Sequence, residues 1–233
     1  MTRVLLVPGR NDPLPEHWQE WLAGRDPARC WVRHATRGRY VADERVAALA
    51  AALDGVTEPT VLVAHSAGCL TVALWAASAG PGPVRGALLV TPPDIVEPWT
   101  DGTSALPALP DDPLPFPSIL AASRTDPAMT YDRAAHWARR WGAELVDLGD
   151  AGHLTTADGY GPWPLAEHLI ARLAPPVGRG PVDLGSWWPL QGPGSSKISG
   201  ARSFRSAHDE APPRAEGGFR STLGQAVCSS RTC

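Results

Sequence analysis

The chain of 233 residues reads as an α/β protein with a parallel sheet, and three observations predict this. Short apolar runs alternate with segments of helical periodicity from about residue 3 to residue 173. Several runs, such as VLLV, VLV and ALLV, have no polar alternation, as in parallel strands covered on both faces. The first run, Arg3–Val7, ends at Pro8-Gly9, a turn of the kind that punctuates strand ends.

The elements follow in order. Arg3–Val7 is a β-rich run that stops at the turn Pro8-Gly9. Glu16–Leu22 sets Trp18, Trp21 and Leu22 at helical spacing. Cys30–His34 is a short second strand. Ala42–Leu53 is an Ala-rich helix with Val46, Leu49, Ala50 and Leu53 on one face, and Asp43 is placed to cap it. Thr60–Ala64 is the third strand, followed by a helix over Ala67–Ala79. Val84–Val90 contains the fourth strand and Ser118–Ala122 the fifth. Tyr131–Trp141 is a helix with Ala134, Ala135, Ala138 and Trp141 on one side. Glu144–Leu148 is the sixth strand, and Leu165–Leu173 is the last helix. One stretch breaks the alternation: Ile95–Pro117, rich in Pro, is a lid or pocket wall, or else a surface insertion without function.

Composition divides the chain. Within residues 179–233, seven basic residues stand against four acidic ones, a balance of +3 that leaves −6 for residues 1–178. From Pro175 onward the sequence is mainly Pro, Gly, Ser and Arg without apolar periodicity, too little to offset the entropy of ordering it. We therefore expect a domain over residues 1–175 and a low-complexity, disordered tail over 176–233. Docking of Trp187-Trp188 on the domain and out-of-frame translation stay open as alternatives. A whole-chain net charge of −3 and a pI near 6.1 do not suggest a nucleic-acid binder. The four cysteines, Cys30, Cys69, Cys228 and Cys233, show no zinc spacing. The apolar run Val4–Val7 is too short for a signal peptide or membrane span, so a cytoplasmic location with reduced thiols is expected.

Chemistry concentrates at three strand ends. Ala64-His65-Ser66-Ala67-Gly68 lies where the third strand meets a helix. A nucleophilic Ser in such a turn needs small residues two before and two after it, so that strand and helix can approach. Ser66 could instead be a plain helix cap. As a nucleophile it would have the helix N-terminus beside it and the Ala67 N–H as an oxyanion donor. A base then has to follow in the chain, with a carboxylate to orient it. His153 sits in a Gly-flanked loop past the sixth strand, whereas His136 and His168 lie inside helices. Asp126, just past the fifth strand, is the preferred acid. Asp94 and Asp150 are rivals, and Asp126 could also be a turn residue ahead of Pro127.

VPGRNDPLPEHWQEWL, VAHSAGC, PSILAASRTDP and ELVDLGDAGHLTTADGYGPWP resemble the retinoblastoma-binding protein 9 / YdeN family of small α/β hydrolases, over roughly residues 3–173. The resemblance implies a minimal α/β-hydrolase fold: a six-stranded, mostly parallel sheet in the order 2-1-3-4-5-6, with helices on both faces. It carries a Ser66, Asp126, His153 triad onto this sequence, in agreement with the spacing. It also makes Pro8-Gly9-Arg10-Asn11 the oxyanion loop, with the second oxyanion N–H assigned to Arg10 and Asn11 as the alternative. Ala67 stands where the family usually has Leu, and residues beyond about Pro175 have no counterpart.

Other residues have plainer readings. His65 is expected to pack behind the Ser66 turn, and Cys69 to be a small buried helix residue. His17 and Trp18 either shape the site or form a packing pair at a helix start. Trp75, Trp137 and Trp141 fit helix faces on the sheet, and Trp99 and Trp163 are candidate pocket walls. The expected activity is that of a serine hydrolase, carboxylesterase-like, acting on an ester, thioester or amide of a small acyl substrate. It would need no cofactor or metal and bind neither nucleic acid nor membrane. A protein partner is possible but not indicated. The alternatives are a catalytically idle hydrolase fold that acts as a protein-binding module, and acyl transfer to an acceptor other than water.

Overall fold

The computed structural model describes residues 2–35, 38–94 and 108–174. The expected tail over 176–233, Trp99 and the first part of the Pro-rich stretch lie outside these residues. Six strands pair in parallel in the order β2-β1-β3-β4-β5-β6. They are β1 (Arg3–Val7), β2 (Arg29–Trp31), β3 (Thr60–His65), β4 (Val84–Val90), β5 (Ser118–Ala122) and β6 (Glu144–Asp147). The helices are α1 (Trp18–Arg25), α2 (Ala42–Leu53), α3 (Ala67–Ala79), α4 (Tyr131–Arg140) and α5 (Pro164–Leu173). The α/β class and the strand order are as expected.

The alternation of side chains along a strand sorts the core into two layers. Leu5, Val7, Leu62 and Ala64 face α2, α3 and α4, meeting Leu49, Val72, Trp75 and Trp141. Val4, Leu6, Val61 and Val63 face the other way, onto Trp18 and Leu22 of α1 and Leu169 and Ile170 of α5. The central strand β3 is buried along its whole length, whereas the edge strand β6 is only half-buried. Trp137 packs partly buried against the first layer, as its spacing suggested. The described end of the Pro-rich stretch also closes that layer. Phe116 stacks on Trp75 at 6.3 Å, and Pro110 accepts a hydrogen bond from Trp141 Nε1 at 3.0 Å.

Local differences from the sequence reading have physical causes. α1 begins at Trp18 because His17 keeps extended backbone and its Nδ1 accepts the Gln19 N–H. α2 is not capped by Asp43: Val41 occupies the cap without a side-chain bond, and Asp43 sits in the first turn, where its charge favours the helix dipole. The buried face of α2 holds Arg45 between Ala42 and Leu49, and Ala50 is exposed. β2 ends at Trp31, although Val32 N–H still donates to the Leu6 carbonyl at 2.9 Å. Trp163 is buried edge-on against Trp18 at 5.1 Å in the second layer, and it does not line the cavity beside Ser66. Among the described residues no helix is long and apolar enough to cross a membrane.

Candidate active site

The chain leaves β1 toward β2 on one side and reaches β3 on the other. The carboxyl ends of β1 and β3 therefore flank a topological switch point, the crevice where open α/β sheets bind ligands. Ser66 stands at that point between β3 and α3, with φ 53° and ψ −127°. A non-glycine residue pays strain of about 1–3 kcal/mol for such a conformation, and the neighbours hold it there. Ser66 N–H donates to the Val90 carbonyl at 2.9 Å. A Cβ at Gly68 would overlap the Val7 carbonyl oxygen and approach that of Pro8 to 2.8 Å. Only glycine lets α3 start this close to the end of β1. A Cβ at Gly9 would lie 3.2 Å from Ser66 Cβ, so the loop after β1 passes directly beside the serine.

That loop is oriented by a residue the sequence reading did not single out. Arg45 is 2% exposed. Its guanidinium donates to the carbonyls of Gly9 at 2.8 Å and Arg10 at 2.7 Å. In a trans peptide the N–H points opposite the C=O, so the N–H groups of Arg10 and Asn11 are turned away from Arg45. Arg10 and Asn11 both line the cavity with Ser66. The Ala67 N–H belongs to the first residue of α3 and has no acceptor within its own helix.

His153 lies in the loop after β6. Its Nε2 is 2.9 Å from Ser66 Oγ and its Nδ1 is 2.8 Å from Asp126 Oδ1. A carboxylate only accepts, so Nδ1 carries the proton, and in the neutral ring Nε2 accepts from the serine hydroxyl. The Asp126 side chain is 3% exposed, and its Oδ1 also accepts the Ala128 N–H at 2.8 Å. The two rival carboxylates are elsewhere. Asp94 is forked onto Arg133 at 3.0 and 3.1 Å, and Asp150 is exposed. His136 and His168 are exposed on α4 and α5.

Polar bonds pin the His153 loop. Asp158 Oδ2 accepts from His153 N–H at 3.1 Å, Thr155 N–H at 2.9 Å and Thr155 Oγ at 2.6 Å. These donors, led by the Thr155 hydroxyl, hold the Asp158 carboxyl below its ordinary pKa. Ser123 and Thr125 after β5 accept from Ala151 and Gly152 N–H at 3.0 and 3.1 Å. The His153 carbonyl accepts from His65 Nε2 at 2.9 Å and Thr91 Oγ at 3.3 Å. His65 thus packs behind the turn as expected and also anchors the opposite loop. Burial lowers its pKa to about 3, with His17 adding to the effect, so it stays neutral and donates. Cys69 is buried, its thiol donates toward the Val90 and Ala64 carbonyls, and burial pushes its pKa up.

The cavity over Ser66 and His153 measures about 330 Å³, with Leu14, His17 and Thr155 among its walls. Among the described residues no group of three or more His, Cys, Asp or Glu is arranged to hold a metal ion.

A family model described as serine hydrolase matches residues 4–172. Among solved structures, a YdeN-like hydrolase from Pectobacterium atrosepticum is 32% identical. It superposes with a TM-score of 0.66 over 74% of this chain and 90% of that one. The ydeN gene product of B. subtilis matches at 18% identity and TM-score 0.64, over 74% of this chain and 98% of that one. Est1E from Butyrivibrio proteoclasticus, solved with ferulic acid bound, matches at 11% and 0.53, over 74% and 90%. The last two likenesses show the fold. No curated protein matches the sequence.

Proposed function

The chain belongs to the serine hydrolase family, and from that premise we propose that it cleaves an ester, thioester or amide of a small acyl substrate through an acyl-enzyme on Ser66. The observation that carries this reading is the continuous path from Ser66 Oγ to His153 Nε2, and from His153 Nδ1 to Asp126, opening on the cavity.

In this reading Ser66 Oγ attacks the substrate carbonyl carbon while its proton passes to His153 Nε2. Asp126 holds the Nδ1–H, fixes the tautomer and stabilises the imidazolium. The carbonyl oxygen becomes an oxyanion held by the N–H groups of Ala67 and Arg10, at the positive end of α3. The C–O, C–S or C–N bond then breaks, and His153 returns the proton to the leaving group. Water, deprotonated by His153, attacks the acyl-enzyme; the acid leaves and Ser66 regains its proton. Esters are the first substrates to test, because an amide leaving group needs fuller protonation.

The test is labelling with a fluorophosphonate probe alongside turnover of a short-chain 4-nitrophenyl ester. Wild type should label at Ser66. Ser66→Ala and His153→Ala should lower turnover about 10⁴–10⁶-fold, and Asp126→Asn about 10⁴-fold. Absence of wild-type labelling overturns the hydrolase reading and favours a binding module. Labelling that survives Ser66→Ala overturns the assignment of the serine.

A further inference from the structure

The cap of α1 uses only one nitrogen of His17. Nδ1 accepts the Gln19 N–H at 3.2 Å, so it carries no proton in that bond. The residue is 5% exposed, and its ring packs against those of Trp18 and His65, with centroids 5.4 and 4.9 Å away. Burial first, and the nearby His153 second, lower its pKa to about 4. Near neutral pH the ring is therefore uncharged, with its single proton on Nε2.

This Nε2–H has no acceptor among the described residues, yet His17 lines the cavity that contains Ser66 and His153. Its position is set firmly. Gln19, one step into α1, donates from Nε2 to the carbonyls of Val63 at 3.2 Å and Val7 at 3.4 Å. The start of α1 is thereby tied to the ends of β3 and β1, the two strands that deliver Ser66 and the Arg10 loop. The Nε2 atom opens onto the cavity, so its acceptor is whatever fills that space, water in the free protein and substrate when bound.

We propose that the His17 Nε2–H is a substrate-binding donor that takes a neutral oxygen acceptor, a carbonyl, ester or hydroxyl oxygen, of the acyl substrate bound over Ser66. This rests on the hydrolase reading above. An uncharged donor held among aromatic rings suits a neutral oxygen, since nothing in the ring repays the desolvation of a carboxylate. His17 then selects substrates that carry such an acceptor within reach of the cavity wall it forms.

The experiment uses the full chain as wild type, His17→Asn and His17→Phe. Asn is a favoured helix cap, so it keeps an acceptor for the Gln19 N–H while removing the Nε2 donor; Phe removes both. Turnover of 4-nitrophenyl acetate, thermal unfolding and ¹⁵N–¹H spectra of the histidine rings are measured, the spectra before and after phosphonylation of Ser66. Asn should keep the melting temperature near wild type and lose about tenfold in kcat/KM, the worth of one such bond. The His17 ring should show the neutral Nε2–H tautomer, and its Nε2 resonance should move when the cavity is filled. Wild-type kcat/KM in His17→Asn, a proton on Nδ1, or an Nε2 resonance indifferent to phosphonylation overturns the proposal. These results stand apart from failure of the hydrolase reading, which shows as absent labelling of wild type and takes this proposal with it.

Discussion

The turn that carries Ser66 is held by backbone packing, whereas the loop that carries His153 is held by side-chain hydrogen bonds. At the first, Gly68 rests against the Val7 and Pro8 carbonyls and Gly9 against Ser66 itself, so sterics confine a strained residue to one conformation. At the second, Asp158, Ser123, Thr125, His65 and Thr91 each bind a backbone group of residues 151–155. The proposed nucleophile is thus fixed by close packing at the centre of the sheet. The proposed base is fixed toward the sheet's edge by a polar lattice, with Ala151 and Leu154 of the same loop packed into the second core layer. The two regions should fail in different ways.

The largest effect is expected at the packed turn. Gly68→Ala puts a methyl group into two backbone carbonyls that cannot rotate aside, and should destabilise the fold by about 3 kcal/mol, read from denaturant unfolding. A loss below about 1 kcal/mol would mean that α3 can back away from β1, and would remove the steric half of the contrast. Asp158→Ala should cost less stability, about 1–2 kcal/mol, but should lower ester turnover about tenfold by loosening His153. If stability falls while turnover stays at the wild-type level, the lattice is structural and does not position the imidazole.

The smallest effect is a pH dependence. His17 and His65 titrate in the fold at about 4 and about 3, below the 6.5 of a free histidine. Between these values the unfolded chain binds more protons than the folded one, so stability rises with pH. It is full above about 6.5 and is lost as pH falls through the folded pKa values. Going from pH 7 to pH 6 should cost about 1 kcal/mol, seen as a lower melting temperature. Asp158, held below the usual carboxylate range, adds its own loss only at more acid pH. A melting temperature that is flat or rises between pH 7 and 6 would show that the histidines beside Ser66 ionise freely.

The same contrast governs what could be read in advance. The Ser66 turn is a local pattern, small residues around a serine after an apolar strand, and a local pattern is visible in the sequence. The lattice around His153 joins residues that are distant along the chain: Thr91 lies in no motif, and nothing in the sequence marks His65 or Ser123 as partners of this loop. Arg45 escaped notice for a related reason. A charged residue on an Ala-rich helix reads as solvated, and only the fold brings the Gly9, Arg10 and Arg39 carbonyls and the Tyr40 ring to its guanidinium. His17 was legible as a residue near the loop, but not as a cap with one nitrogen committed and the other facing the cavity.

By itself the sequence determined the alternation of strands and helices, the apolar character of the central strands, and the chain order of Ser66, Asp126 and His153 at three strand ends. Hydrophobic periodicity and turn residues act over a few positions, so they set local structure whatever the rest of the chain does. Only the tertiary structure decided which of Asp94, Asp126 and Asp150 reaches His153, which residues pin its loop, and where Arg45 and His17 point. Those outcomes depend on which strand lies beside which. Parallel pairing brings the ends of β3, β5 and β6 to one edge of the sheet and turns separations of many residues into contacts of about 3 Å.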